Sequence, residues 1–162
     1  MRSPEAFAAH EAALGAIAQA PGRVLDLGTG TGGAARVVAR RWPDAEVVGT
    51  DLSEQMVAEA RTVTPPDLRI RYEVVDASQL PYDAESFDLV TLANMIPFFD
   101  ELQRVVAPGG HAVFSFSAGA DTPIFVSPER LRRELSRRGF TEFAEFAAAG
   151  GTALLAHKPP RS

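Results

Sequence analysis

The sequence contains no cysteine, and this absence removes several kinds of site at once. Disulfides, thiolate-bound metals, iron–sulfur clusters and cysteine nucleophiles all require a thiol. Radical chemistry at a cysteine-held cluster and group transfer through a cysteine adduct are excluded for the same reason. The chemistry of this chain must therefore rest on other side chains, on the backbone or on a bound cofactor.

The sequence also lacks an excess of positive charge, since its formal net charge is −5. A negative protein has no long-range attraction to a phosphate backbone, so nucleic acid is a disfavoured partner. Arginines do cluster near the C-terminal third, at Arg130, Arg132, Arg133, Arg137 and Arg138. On a helix these positions spread around the circumference, which favours a solvated surface over a binding patch.

A membrane-spanning or signal segment is missing from the first twenty residues. Glu5, His10 and Glu11 interrupt the apolar stretch there, so it is neither a signal peptide nor a membrane span. We therefore predict a cytoplasmic protein. No pattern of metal ligands is present, and no metal is predicted.

The composition is that of an ordinary globular protein, with 162 residues, 46% hydrophobic and 23% charged. This length fits one domain over residues 1–162, with an N-terminal helix (1–20), a core (21–158) and a short tail (159–162). Short apolar runs alternate with helical segments, a pattern typical of βαβ units. It predicts an α/β fold with a mostly parallel seven-stranded sheet, helices on both faces and a C-terminal antiparallel hairpin.

The boundaries of the elements follow from caps, prolines and glycines. Ser3, Pro4 and Glu5 form a helix start, and Ser127 with Pro128 repeats it. Helices are predicted at residues 4–19, 33–42, 53–62, 100–106 and 127–139, and strands at 23–27, 46–50, 69–75, 86–92, 111–117, 140–148 and 152–158. In the third helix, Met56, Val57 and Ala60 are expected on the inner face.

A glycine-rich turn, residues 26–33, lies between the first strand and the second helix. Glycine is required where the chain turns sharply and its backbone approaches a ligand. Gly28, Gly30 and Gly33 also satisfy the dinucleotide fingerprint G-x-G-x-x-G, so the turn alone leaves the ligand open. Asp51, at the end of the second strand, is placed to accept hydrogen bonds from a ribose. A role as helix cap before Ser53 is its alternative interpretation.

Four stretches together resemble the class I S-adenosylmethionine-dependent methyltransferases, especially the small bacterial type with a Rossmann-like sheet. They are residues 24–32, 51–56, 76–82 with 86–90, and 102–110. The resemblance covers residues 23–158 and implies S-adenosylmethionine as cofactor and S-adenosylhomocysteine as product. It implies a cofactor-binding set of Asp26, Gly28, Thr29, Gly30, Gly32, Asp51, Leu52, Met56, Asp76, Ala77 and Ala93.

The resemblance also implies how these residues act. Asp26 would lie near the ammonium group of the cofactor, and Asp51 would bind the ribose hydroxyls. Leu52 would pack on the adenine. Asp76 would accept from the exocyclic amine while the Ala77 N–H donates to a ring nitrogen.

No catalytic constellation is visible in the sequence. Methyl transfer is an in-line displacement that depends mainly on proximity and orientation, and a base helps only a protonated acceptor. His10 is the one imidazole candidate, although an ordinary surface histidine is the competing interpretation. Asn94 is a candidate for orienting the substrate. Phe98 and Phe99 are expected to line the substrate site, or else to be core residues.

Three functions remain open from the sequence. The first is methyl transfer to an O, N or C atom of a small-molecule or carrier-bound substrate. The second is a non-catalytic S-adenosylmethionine-binding module that acts with a partner protein, and the third a nicotinamide-dependent oxidoreductase. The short connection at residues 94–100 predicts an open cleft, which a second protomer in a homodimer, or a macromolecular substrate, would close.

Overall fold

The computed structural model describes residues 4–162, so the predicted cap Ser3 lies outside the described residues. These residues form seven strands: β1 Arg23–Leu27, β2 Glu46–Asp51, β3 Ile70–Val74, β4 Phe87–Ala93, β5 Val106–Phe116, β6 Thr141–Ala148 and β7 Gly151–His157. They also form five α-helices: α1 Ala8–Gly15, α2 Gly33–Arg41, α3 Glu54–Val63, α4 Phe99–Val105 and α5 Pro128–Ser136. Short 3₁₀ helices cover Pro4–Phe7 and Gly119–Asp121.

All seven strands belong to one sheet, in the order β3-β2-β1-β4-β5-β7-β6. Strands β1 to β5 are parallel, and β7 runs antiparallel to both β5 and β6. This confirms the predicted mostly parallel sheet with a C-terminal hairpin. The inner position goes to β7 because its residues Ala153 to Ala156 are apolar and buried, whereas β6 is half-exposed along its length.

Helices cover both faces of the sheet, as predicted. On one face, α1, α2 and α3 bury residues such as Leu14, Val38 and Val57 against it. On the other face, α4 and α5 bury Leu102 and Leu131. The parallel strands therefore have both faces in the core, and their open carboxyl edge is left for a ligand.

Most element boundaries fall within three residues of the predictions, and two differ by more. The first helix ends at Gly15, four residues before the predicted Gln19, because glycine is a poor helix former and a short turn follows it. Ile17 nevertheless packs in the core. The fifth strand begins at Val106, five residues before the predicted His111, since Val106 already pairs with Phe87 of β4.

One side-chain prediction also needs correction. Met56 is expected on the inner face of α3, but it is 42% exposed, and Val57 and Ala60 alone face the core there. Lys158, the residue before the predicted tail, is anchored, because its ammonium group donates to the carbonyls of Gln103 and Val106 at 2.7 Å.

No helix within residues 4–162 is both long enough and apolar enough to cross a membrane.

The packing of α1 on the sheet gives the first prediction. Leu14→Ala should lower the free energy of unfolding by about 2–5 kcal/mol, because Leu14 is fully buried and its loss leaves a cavity. Urea denaturation measures the change. Glu11→Ala, an exposed position on the same helix, is the control and should change stability by less than about 0.5 kcal/mol. Equal effects of the two substitutions would contradict the packing of α1.

Candidate functional site

The carboxyl ends of β1, β2 and β4 meet at one edge of the sheet, where most of the predicted site residues lie. Asp26 and Gly28 come from β1 and the turn after it, Asp51 ends β2, and Ala93 ends β4. The loop after β3 brings Asp76 to the same edge. Open parallel sheets bind ligands at this edge, where strand order reverses.

Asp26 is the most buried charged group of this edge, with 1% of its surface exposed. Its two carboxylate oxygens accept hydrogen bonds from the hydroxyls of Thr29, at 2.8 Å, and Thr91, at 2.7 Å. Burial raises the pKa of Asp26 to about 6, although the two hydroxyls oppose that shift. Within the described residues, no lysine, arginine or histidine forms an ion pair with Asp26.

The glycine-rich turn passes close over Asp26 because its backbone takes left-handed conformations. Gly28 has a φ of +66°, and a β-carbon there would lie 2.5 Å from the sulfur of Met95. A residue with a side chain would be strained at this φ and would displace the side chain of Met95. The N–H of Thr29 donates to the carbonyl of Thr50 at 2.8 Å, which ties the turn to β2.

Asp51, at the end of β2, binds the backbone of the glycine-rich turn through its carboxylate. Its Oδ2 accepts from the N–H of Gly30 at 2.9 Å, and its Oδ1 accepts from the N–H of Ser53 at 3.0 Å. A carboxylate can accept further hydrogen bonds beyond these two, so it can still receive a diol. Leu52, the next residue, has 72% of its surface exposed.

Asp76 and Ala77 begin the loop after β3. The Oδ1 of Asp76 accepts from both the N–H and the hydroxyl of Ser78, and these bonds lower the pKa of the carboxyl. Its other oxygen faces an exposed surface and makes no hydrogen bond within the described residues. Ala77 is buried, so its backbone is held against the core.

A cavity of about 280 Å³ lies over the glycine-rich turn. It is lined by Phe7, Gly28, Thr29, Gly30, Thr31, Gly33, Ala34, Arg36, Met56 and Ala93. Five of the eleven residues in the predicted cofactor set line this cavity: Gly28, Thr29, Gly30, Met56 and Ala93. Of the six that do not, Leu52 and Asp76 are exposed, Asp51 is half-buried, and Asp26, Gly32 and Ala77 are buried.

A second, open cleft of about 460 Å³ is lined by Ala6, Asn94, Ser117, Ala118, Thr122, Pro123 and Ile124. Asn94 has a φ of +54°, and its N–H donates to the carbonyl of Ser115 at 2.8 Å. Its side-chain oxygen accepts from the N–H of Ser117 at 2.9 Å. The side-chain NH₂ is the part of Asn94 left to interact with a substrate.

The two phenylalanines after Asn94 have different surroundings. Phe98 is 41% exposed at the start of α4. Phe99 packs against the core, and the guanidinium of Arg138 lies 5.3 Å from the centre of its ring. The structure therefore brings Phe98 to the surface near Asn94, whereas Phe99 is occupied by packing.

His10 is not a surface residue, contrary to the favoured interpretation of the sequence. It is 1% exposed, and its Nδ1 lies 2.8 Å from the hydroxyl oxygen of Ser115. Burial lowers its pKa to about 4. Its other nitrogen, Nε2, is buried without a hydrogen-bond partner within the described chain, so His10 has no access to a substrate in this arrangement.

Sequence reasoning missed several residues of the site. Phe7 lines the cavity over the turn, Met95 covers Gly28, and Thr91 holds the carboxylate of Asp26. Thr31, Gly33, Ala34 and Arg36 also line the cavity over the turn. A signal for Thr91 existed, because a polar residue in an otherwise apolar strand needs a buried partner. Its pairing with Asp26 depends on the register of β1 and β4, which places the two residues side by side.

Comparison with known proteins identifies the kind of protein to which this edge belongs. Residues 24–110, more than half of the chain, match the family described as "Methyltransferase domain". Demethylmenaquinone methyltransferase of Thermus thermophilus is 42% identical over 106 residues, which cover 60% of this chain and 48% of the relative. Trans-aconitate 2-methyltransferase of Streptomyces avermitilis is 33% identical over 126 residues, which cover 72% and 45%. The chain thus spans about half the length of these curated relatives.

The fold has solved counterparts. The crystal structure of an S-adenosylmethionine-dependent methyltransferase from Aquifex aeolicus matches with a TM-score of 0.77 and 19% identity. The match covers 96% of this chain and 94% of that one. This similarity shows the Rossmann-like fold, and the predicted fold class is confirmed.

The buried carboxyl of Asp26 predicts an unusual pH dependence of stability. Its pKa is about 6 in the folded chain, against an ordinary value of 3.8, so the folded state holds the proton more tightly. The stabilisation is complete below about pH 4 and is lost as the pH rises through 6. Relative to Asp26→Asn, the wild type should lose up to about 3 kcal/mol between pH 4 and pH 7.

Urea denaturation of both proteins across this range measures the difference. The comparison is made between the two proteins because Asp76, Glu101 and Glu134 have lowered pKa values and act in the opposite direction. A constant difference between wild type and variant would show that Asp26 is ionised throughout.

Proposed function

The chain belongs to the methyltransferase domain family, the class I S-adenosylmethionine-dependent enzymes, and on this premise we propose that it methylates a neutral small-molecule acceptor. The observation that carries the proposal is the strip of Asp26, Asp51 and Asp76 around the glycine-rich turn. Membership of this family decides against the oxidoreductase alternative.

The residues of the strip fit S-adenosylmethionine part by part. Asp51 offers carboxylate lone pairs for the ribose hydroxyls, and the exposed Leu52 offers an apolar surface for the adenine. Asp76 has one oxygen to accept the adenine amine. The enclosed cavity over the turn takes the methionine part, with Met56 and Phe7 as its walls.

Asp26 fits a cationic ligand for an electrostatic reason. An ionised carboxylate in the interior without a counter-charge is unfavourable, as its raised pKa shows. The ammonium of the methionine part, placed near the turn, would supply that counter-charge directly or through a water. Binding would then favour the ionised carboxylate and lower its pKa.

When bound, S-adenosylmethionine supplies an electrophilic methyl group on a sulfonium, which an acceptor atom takes by in-line displacement. The contribution of the chain is to hold the acceptor in line with that group and to exclude competing water. Asn94 lines the cleft and follows Ala93, which lines the cavity over the turn, and its NH₂ group can orient an acceptor oxygen. Asn94, Ser117 and Thr122 are not bases, so the acceptor must itself bring a nucleophilic atom.

The acceptor cleft favours a neutral substrate. Its described lining consists of alanine, proline and isoleucine with the uncharged polar groups of Asn94, Ser117 and Thr122. A carboxylate placed there would find no cationic side chain among these lining residues to pair with. Of the two relatives described above, one is named for demethylmenaquinone, which is neutral, and the other for trans-aconitate, an anion. The lining supports the neutral class for this chain.

The open form of the cleft supports a further element of the proposal. Ile96 and Phe98, in the segment that follows Asn94, are exposed large apolar residues. We propose that a second protomer or a carrier-bound substrate covers the cleft during the reaction, since a desolvated site strengthens the orienting contacts. A non-catalytic role with a partner protein remains the second candidate, favoured by the absence of a base among the cleft-lining residues that the structure describes.

Cofactor binding gives the next prediction. Asp51→Ala should weaken the binding of S-adenosylhomocysteine on the order of 50-fold, because the ribose hydroxyls lose a charged hydrogen-bond partner. Isothermal titration calorimetry measures the affinity. Asp67→Ala, which removes an exposed carboxylate from the turn before β3, is the matched control and should bind normally. An unchanged affinity of Asp51→Ala would rule out its assignment to the ribose.

Turnover tests the acceptor class. We expect the kcat/KM for 1,4-dihydroxynaphthalene to be at least about tenfold higher than for its 2-carboxylate, since the two differ by one unpaired charge. Release of S-adenosylhomocysteine is the readout. A preference for the acid would contradict a neutral acceptor. Tight binding of S-adenosylhomocysteine without turnover of any acceptor would favour the non-catalytic module.

A further inference from the structure

Two residues of α4, Glu101 and Arg104, form hydrogen bonds with the backbone of the loop that joins β3 to β4. We propose that this pair positions the adenine-binding part of that loop, so that cofactor affinity depends on two side chains that do not contact the cofactor. The inference rests on the proposed function, because it assumes that Asp76 and Ala77 receive the adenine. Neither residue belongs to the predicted site.

The contacts of the pair are with the backbone of the loop. Glu101 accepts from the N–H of Leu80 at 2.7 Å through its Oε1. Arg104 donates to the carbonyl of Leu80 at 3.0 Å through its Nη2, and to the carbonyl of Tyr82 at 2.6 Å through its Nη1. Both polar groups of the Leu80 backbone are therefore bound by one pair of side chains.

The pair is itself rigid. Arg104 forms a fork on Glu101, with Nε to Oε2 at 2.7 Å and Nη2 to Oε1 at 3.1 Å. Arg104 holds the pKa of Glu101 below its usual range, so the carboxylate stays ionised near neutral pH. Such two-point geometry fixes direction as well as distance, which an isolated surface ion pair does not.

The loop needs these partners because it has little structure of its own. Residues 75–86 form neither helix nor strand, and their backbone groups must find other hydrogen bonds. At the first end, the N–H of Val75 donates to the carbonyl of Asp51 at 3.0 Å. At the second end, the α4 pair holds Leu80, whose side chain is also buried. Asp76 and Ala77 lie between these two anchors.

Because Asp76 and Ala77 lie between these two attachment points, the contacts of α4 can affect how the two residues meet the adenine. The Ala77 N–H and the Asp76 carboxylate must point at fixed atoms of the base, and a small displacement weakens both hydrogen bonds. Loss of the α4 pair removes the hydrogen bonds that fix the direction of the backbone at Leu80 and Tyr82, while the burial of Ala77 and Leu80 keeps the loop against the core. The effect should therefore fall on the base and not on the ribose or methionine parts.

The test compares S-adenosylhomocysteine with S-ribosylhomocysteine, which lacks only the adenine. Glu101→Ala should weaken the binding of S-adenosylhomocysteine about tenfold and change that of S-ribosylhomocysteine less than twofold, as measured by calorimetry. Glu101→Gln, which keeps an acceptor for the N–H of Leu80, should recover part of the loss. Arg104→Ala should resemble Glu101→Ala.

The matched control is Glu134→Gln on α5. Glu134 pairs with Arg138 at 3.0 Å and has the same 21% exposure as Glu101, but makes no contact with the loop. The Glu134→Gln variant should leave the affinity for both ligands unchanged. Equal weakening of both ligands by Glu101→Ala, or no weakening at all, would overturn the positioning role while leaving the proposed function in place. Failure of the wild type to bind S-adenosylhomocysteine would overturn both.

Discussion

Asp26 lies in the centre of the sheet with its carboxylate hydrogen-bonded to Thr29 in the following turn and to Thr91 on the neighbouring strand. This arrangement connects three parts of the ligand-binding edge through one buried group. The turn is held down onto β1, β4 is held in register beside it, and a negative charge without a cation is kept below the cavity. The cost of that charge is the physical reason for expecting a cationic ligand above it.

The edge of the sheet around Asp26 carries charged side chains at one end and uncharged ones at the other. On one side, carboxylates and exposed apolar residues suit the polar and aromatic parts of a nucleoside. On the other side, beyond Asn94, the cleft has uncharged polar groups among small apolar residues. Helix α4 contributes to this edge from the opposite face of the sheet to α2, because Glu101 binds the N–H of Leu80 in the loop after β3.

Much of the fold could be predicted because it depends on patterns local to the chain. The alternation of apolar runs and helices predicts the parallel sheet, and caps such as Ser53 and Ser127 mark helix starts that the structure contains. Where a boundary depended on contacts with distant residues, the prediction was wrong. Val106 joins β5 early because Phe87 is beside it, and His10 is buried because α1 packs on β5, β6 and β7.

The sequence by itself determined the glycine-rich turn, the acidic residues that follow the strands, and the resemblance that names a cofactor. These features are short and carry their chemistry in residue type and spacing. Tertiary structure alone decided that Thr91 would hold Asp26, that Met95 would cover Gly28, and that Glu101 and Arg104 would grip the loop after β3. Each of these contacts joins residues far apart in the chain, and only the order and register of the strands bring them within hydrogen-bonding or packing distance.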